Sequence, residues 1–309
     1  MIGLVLSLLT ACGSASNTYP QRTVKVYVPA SPGGGTDNAA RVLAQHLDGA
    51  FAGNVVVVNE TAGGGALAVN TVARSRPDGY SLLFFHEAMH TGYQQGTVRQ
   101  TAEELRPIAT TARQHQYLLA SSASGWADLD DLADAARADP GGLTMGVSFG
   151  QTTQYTGAML EDAAGIDIRM QDTGNEADRV AGLLSGQLQL IVGSTATARQ
   201  YLATGDFVAL AVTSPERDPV LSEIPTAAEQ GYDVEFPLNF SLLGPEETPD
   251  EVVAAWTEAL RTVSTNPDYR RSMAEVAEPV SLDAAETEEQ LRTSAQTVAE
   301  LSRLVTNSS

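Results

Sequence analysis

The sequence predicts a parallel α/β protein, and three observations carry that prediction. Apolar runs of strand length alternate with helix-like amphipathic stretches almost to the end of the 309 residues. This is the pattern of βα units on a parallel sheet. The run FVALAVTS from Phe207 is almost continuously apolar, as a strand of the buried, parallel kind is. Two glycine-rich turns, SPGGGTD at Ser31–Asp37 and ETAGGG at Glu60–Gly65, each stand between a strand-like and a helix-like run.

Taken in order, Val24–Val28 predicts a strand and Asp37–Leu47 a helix. Val55–Val58 and Leu67–Arg74 repeat that pair. A turn at Asp78-Gly79 leads to a strand at Ser81–Phe85, and short strands follow around Ile108 and at Tyr117–Ala120. WADLDDLADAARADPGG is an amphipathic helix with Leu129 and Leu132 on one face, stopped by Pro140-Gly141. Strand LTMGVSF, the polar turn GQTTQ and helix YTGAMLEDAAG come next, then helix DRVAGLLSGQ and strand LQLIVG. Near the end, Thr248 is placed to cap a helix with Pro249 at its first position. Val252, Val253, Trp256 and Leu260 share that helix's apolar face. Thr287 and Gln290 have capping-box spacing at the start of the last helix.

The formal net charge is -20. Nucleic-acid binding rests on neutralising phosphates, so this balance argues against it. A small anion is still admissible, because charges more than about 8 Å away are screened. The apolar run MIGLVLSLLTAC is too short to span a bilayer, which needs about 20 residues. It reads as the apolar part of a secretory signal. Leu9-Thr10-Ala11-Cys12 resembles a bacterial lipobox, which makes Cys12 a lipidation site and GSASNTYPQRT a flexible tether. The rival reading is an apolar tail with a buried cysteine. No Lys or Arg precedes the run, so a start upstream of Met1 is also open. With one cysteine the chain forms no internal disulfide.

Glycines let a backbone take positive φ and press close to a ligand. The first N–H groups of the following helix are unpaired and partly positive. A strand, glycine loop and helix therefore form an anion site. No Lys follows the glycines, so this is not a phosphate-binding Walker loop. Asp37 and Glu60 would repel a multiply charged phosphate, and a carboxylate fits better. The bland alternative is two tight turns. In FHEAMH, His86, Glu87 and His90 match His-Glu-x-x-His formally, but the motif leaves an apolar strand and lacks a third ligand. A zinc hydrolase is therefore the lesser alternative, and no metal or cofactor is assigned.

YPQRTVKVYVPASPGGGTDNAARVLAQHL, VVVVNETAGGGALAVNTVARSRPDGYSLLF, DLADAARADPGGLTMGVS and LAVTSPERDPVLSEIPTAAEQGYDVEF, in that order, resemble the substrate-binding proteins of tripartite tricarboxylate transporters, the Bug receptors. The resemblance implies a type II periplasmic-binding-protein fold, two α/β lobes with two crossover strands. It implies a small organic carboxylate as ligand (a di- or tricarboxylate, an amino acid or an aromatic acid). A large and a small membrane subunit would be partners, and the chain would be a monomer outside the cytoplasm, held on the outer face of the cell membrane by its lipid. Residues 1–12 would be the signal and 13–22 the tether. The first lobe would hold 23–120 and 240–309, and the second 121–239.

Carried over by position, the first-lobe carboxylate loop is Ala30 to Asp37. Gly33, Gly34, Gly35 and Thr36 would donate backbone N–H groups, with Ser31 assisting. Gly64 and Gly65 would approach from the neighbouring loop, and the stretch His86 to His90 also matches. In the second lobe, Gln151, Thr152 and Thr153 match a small-hydroxyl loop, with Gln154 where the family commonly has histidine. Asn175 stands in the usual Tyr-Lys-Gly segment, which reads Thr173-Gly174-Asn175 here. Ser194 and Thr195 follow strand LQLIV. Glu87, Gln151, Thr152 and Asn175 suggest a polar or amine-bearing far end of the ligand. A sensor feeding a membrane signalling partner is the alternative role on the same fold.

Overall fold

The computed structural model describes residues 19–307. The signal and Cys12 lie outside the described residues. The strands are β1 Val24–Val28, β2 Val55–Asn59, β3 Ser81–Phe85, β4 Leu105–Gln114, β5 Gln116–Ser121, β6 Thr144–Val147, β7 Arg169–Asp172, β8 Leu190–Ser194, β9 Phe207–Val212, β10 Leu238–Pro245 and β11 Glu278–Leu282. The helices are α1 Gly35–His46, α2 Ala66–Ala73, α3 Ala88–Gln94, α4 Leu129–Ala138, α5 Thr152–Ala164, α6 Glu176–Leu184, α7 Thr195–Thr204, α8 Asp250–Ser264, α9 Pro267–Ala274 and α10 Ala284–Asn307.

The strands form two mixed sheets, one per lobe. The first has the order β11-β4-β10-β3-β1-β2, with β2, β1 and β3 parallel and β10 antiparallel to its neighbours. The second has the order β7-β6-β8-β5-β9. Each sheet is covered on both faces, and alternate side chains feed opposite cores. Leu82 and Phe84 of β3 pack with Trp256 on one side, and Leu83 and Phe85 pack with Val69 and Met89 on the other. In β5, Leu118 and Ala120 face one core while Tyr117 and Leu119 face the other.

Burial of β9 is as expected, but its pairing is not. It lies at the sheet edge and pairs antiparallel with β5. Its side chains still divide between both cores, so its composition reports two-sided burial rather than strand direction. Two caps also differ. The Thr248 hydroxyl donates to Pro245 O, and Pro249 takes the cap position of α8. Asp283, not Thr287, caps α10: its Oδ1 accepts from Ala285 N and Glu286 N. Thr287 lies one turn inside and bonds to Thr110.

The chain crosses between sheets at His115 and again ahead of Leu238. Gln116 Nε2 donates to Phe236 O at 2.7 Å, tying the two crossings together. The His115 ring reaches Ser214 Oγ at 3.0 Å on one side and Glu278 Oε2 at 3.1 Å on the other. Helix α10 is a second link. Leu291 sits in a core of the first sheet, whereas Val298 and Val305 sit in a core of the second.

This splint makes a prediction. Val298→Ala should cost about 1–3 kcal/mol through the lost methyls and the cavity. Trp126 packs against a second-lobe core and Trp256 lies in a first-lobe core. In single-tryptophan variants, urea unfolding should move both reports together. A shift seen at Trp126 alone would mean that α10 does not couple the lobes.

Candidate ligand-binding cleft

Strands β1, β2, β6, β7 and β8 each run into a loop that starts a helix: α1, α2, α5, α6 and α7. Such loops lie beyond the carboxyl ends of parallel strands, where α/β folds bind ligands. A cleft of about 680 Å³ opens between the loops before α1, α6 and α7. Ser31, Gly33, Gly34 and Gly35 line it from the first lobe, and Asn175 and Ser194 face them from the second. The structure thus brings together residues separated by more than a hundred positions in sequence.

The first loop is held by one buried carboxylate. Asp37 is 1% exposed. Its Oδ2 accepts from Gly33 N at 2.8 Å and Arg41 Nε at 2.9 Å, and its Oδ1 accepts from Asn59 Nδ2 at 2.8 Å. Asn59 also donates to Ala30 O. Gly33 has φ 84°, a left-handed backbone that favours glycine. Burial works to raise the Asp37 pKa, but the bonds from Arg41, Gly33 and Asn59 outweigh it and hold the carboxyl below its ordinary 3.8.

This bonding revises the expected donors. Gly33 N–H is taken by Asp37 and Gly34 N–H by Ser31 O. The groups without an acceptor among the described residues are the N–H of Gly35, Thr36 and Asp37, the first three of α1. No side chain caps them. Thr36 is buried as well, at 7% exposure. Unpaired buried N–H groups are rare and demand a partner.

The second lobe repeats the device. Gly150 N donates to Gln154 Oε1 at 2.7 Å, and Ser148 N to Thr153 Oγ1 at 2.9 Å. Gln154, where the resembled family has histidine, does for Gly150 what Asp37 does for Gly33. The N–H groups of Thr152 and Thr153 open α5 with no cap and no acceptor among the described residues. Helices α6 and α7, by contrast, are capped by their own Asn175 and Ser194.

The second glycine turn is more self-contained. Gly65 N bonds to Thr61 O, and Ala66 N and Leu67 N bond to carbonyls of the same turn. Gly65 has φ 94° and its missing Cβ makes room for Pro29, so its role is packing rather than donation to a ligand. Gly64 keeps an unclaimed N–H, and a Cβ there would stand 3.5 Å from Gln151 Nε2. The lobes therefore approach each other at Gly64 and Gln151.

Three expected residues are placed elsewhere. Glu87 is buried away from the cleft loops and its carboxylate is saturated. It accepts from Asn239 N at 2.7 Å, Asn239 Nδ2 at 2.8 Å, Gln290 Nε2 at 2.8 Å and Ser294 Oγ at 3.2 Å. It ties α3 to β10 and α10, which removes it as a contact for a ligand amine. His90 lines a different cavity of about 410 Å³, between α3 and α10. Desolvation pushes its pKa down to about 4. Thr195 donates to Asp218 Oδ2 at 2.7 Å, inside the second lobe. His86 stays after the end of β3, where its Nδ1 accepts from Ala88 N at 3.2 Å. Desolvation, then the neighbouring His90, lowers its pKa to about 3. Among the described residues no cluster of His, Cys, Asp and Glu could hold a metal ion. With Glu87 committed to the crossover, the zinc reading loses its base.

Comparisons with known proteins agree with this fold. A family model described as the tripartite tricarboxylate transporter family receptor matches residues 39–307. The chain belongs to this family. The receptor is 27% identical to protein BugT of Bordetella pertussis over 77% of this chain and 75% of that one. The solved structure of the periplasmic binding protein BugD superposes with a TM-score of 0.81 at 26% identity, covering 93% of this chain and 98% of that one. A structure described as R. palustris Rpa4515 with adipate gives 0.84 at 24% identity, covering 93% and 98%. Family and fold are those of extracytoplasmic solute-binding receptors, not enzymes. The described part of the receptor has no helix long and apolar enough to cross a membrane.

Sequence reasoning missed Gln114. It ends β4 beside the crossing point, and a Cβ on Gly35 would overlap its side-chain amide. No pattern in the sequence links the two positions, since only the sheet order brings the end of β4 under α1.

Two predictions follow from these bonds. Asp37→Asn keeps the shape but loses the charged partner of Arg41, and should cost about 1–3 kcal/mol in urea unfolding. Because Asp37 is held below its ordinary pKa, its contribution is present above that value and lost as pH falls through the lower folded one. The wild-type advantage over Asp37→Asn should therefore be constant from pH 7 to 5 and shrink below about 4. His90 has the opposite proton balance to a paired histidine. Its folded pKa of about 4 lies below the unfolded 6.5. The unfolded chain then binds the extra proton, and stability falls as pH drops from 6.5 towards 4. In His90→Asn that part of the slope, at most about 1.4 kcal/mol per pH unit, should vanish. An unchanged slope would show that His90 does not titrate this way.

Proposed function

We propose that this receptor binds a small organic carboxylate in the cleft and delivers it to the membrane subunits of a tripartite transporter. The observation that carries the reading is the set of unclaimed N–H groups at the starts of α1 and α5, in opposite lobes. Gly35, Thr36 and Asp37 present three donors at the positive end of a helix, as an anion requires. A carboxylate suits them better than a phosphate, because no cation lines the cleft and Glu176 stands at its wall. Ser31 adds a hydroxyl at the wall of the cleft. Closing the lobes adds the amides of Thr152 and Thr153, so ligand and closure stabilise each other. The lipobox-like Cys12 would tether the receptor to the outer face of the membrane, which suits delivery to a membrane partner.

Thermal shift and calorimetry against adipate, malate, aspartate and benzoate, with glucose as the neutral control, test this. A bound carboxylate at 100 times its Kd should stabilise by about 2.7 kcal/mol. A response to glucose with none to any carboxylate would sink the reading. The site itself is tested at Gly35. Its backbone is helical and glycine is a poor helix former, so Gly35→Ala should leave stability equal or higher. The new methyl would displace the Gln114 amide and should lower carboxylate affinity about tenfold, or 1.4 kcal/mol.

A further inference from the structure

Arg179 lies beneath the second-lobe loops and is not one of the groups that line the cleft. It lies on α6 and is 7% exposed. Its stem crosses Gly146 of β6, where a Cβ would come within 3.4 Å of it. The guanidinium then reaches the carboxyl edge of the second sheet. Nη1 donates to Ser148 Oγ at 3.0 Å and Gly174 O at 3.0 Å, and Nε donates to Val192 O at 3.4 Å. Ser148 and Gly174 belong to the two loops that lead into α5 and α6. They are also bonded to each other through Ser148 Oγ and Gly174 O.

All three acceptors are neutral. Two carboxylates stand near on α6, but each is turned elsewhere. Glu176 Oε1 accepts from Ser194 N at 2.6 Å, and Asp178 Oδ2 accepts from Asn175 Nδ2 at 2.7 Å. Among the described residues Arg179 makes no ion pair. A guanidinium cannot shed its proton to relieve burial. Burying it without a counter-ion is costly unless something anionic completes it. Nη2 has no acceptor among the described residues and is not among the side-chain atoms sealed from solvent without one. A donor therefore remains open beneath the loops that face the cleft.

We propose that Arg179 is the specificity-determining residue of the second lobe, selecting ligands whose far end carries a second negative charge. This rests on the carboxylate reading. The near carboxylate occupies the α1 amides, and the far one meets the α5 amides and the charge of Arg179 behind them. The amine-bearing far end expected from the sequence loses its basis, since Glu87 is committed to the crossover and the buried side chain that ties the loops before α5 and α6 is cationic.

The test uses straight-chain diacids from malonate to adipate, each paired with its monomethyl ester, titrated by calorimetry. The ester keeps length and one carboxylate but loses the second charge. Wild-type receptor should bind its best diacid at least tenfold more tightly than the matching ester. Arg179→Gln should lose at least tenfold on the diacid and less than about twofold on the ester, and Arg179→Lys should recover part of the loss. Equal binding of diacid and ester by the wild type would overturn the proposal without needing any variant to fold. So would an equal loss on both ligands in Arg179→Gln, which is what a purely structural arginine would give. Tighter binding of aspartate than of succinate would also overturn it, by assigning the far end to Glu176. A wild type that binds no carboxylate at all would remove the reading on which the proposal stands, a result distinct from the others.

Discussion

The Asp37 carboxylate decides what the glycine loop offers. Left free, a triple glycine samples many backbones and its N–H groups point in many directions. By accepting from Gly33, Arg41 and Asn59 together, Asp37 fixes the loop and consumes one of its donors. What is left for a ligand is the start of α1, where three N–H groups share one direction. The geometry of the proposed site is therefore set by a residue whose own side chain is spent on the loop. A preorganised site loses little on binding, because ordering has already been met in folding.

The second lobe reaches the same end with a neutral side chain. Gln154 restrains Gly150, and Thr153 restrains Ser148. Without a charge in that restraint, the electrostatics of the lobe fall to its helix ends and to Arg179. This reconciles a net charge of -20 with the anionic ligand proposed above. Most of the acidic surface is screened within a Debye length, while the helix ends face the cleft directly and the buried guanidinium lies just behind the second-lobe loops.

The proposed closure also needs lobes that move as bodies. Both crossings meet in a small polar cluster, in which Gln116 bonds to Phe236 and His115 spans Ser214 and Glu278. Beside it, Glu87 gathers Asn239, Gln290 and Ser294. Helix α10 then runs from one core to the other. Polar contacts at the crossings hold direction, whereas apolar burial at Leu291 and Val298 holds the helix on both lobes. The tie at Glu87 limits how far α10 can follow either lobe.

The sequence by itself determined the element types, because periodicity and glycine placement act locally. The strands at Val24, Val55, Ser81 and Leu190 and the helices after each glycine turn were all legible there. So was the family. The tertiary structure decided the rest, for reasons that are not local. Strand direction at β9 depends on its partner, not on its composition. The assignment of N–H groups at Gly33 and Gly34 depends on side chains that arrive from α1 and β2. Glu87 and His90 sit within one short motif, yet one enters the crossover and the other a separate cavity, since α3 turns them to different neighbours. Arg179 looked like one more charge on an amphipathic helix. Only the packing of α6 across Gly146 carries it under the second-lobe loops, where a buried charge without an ion pair is what the proposal about the ligand rests on.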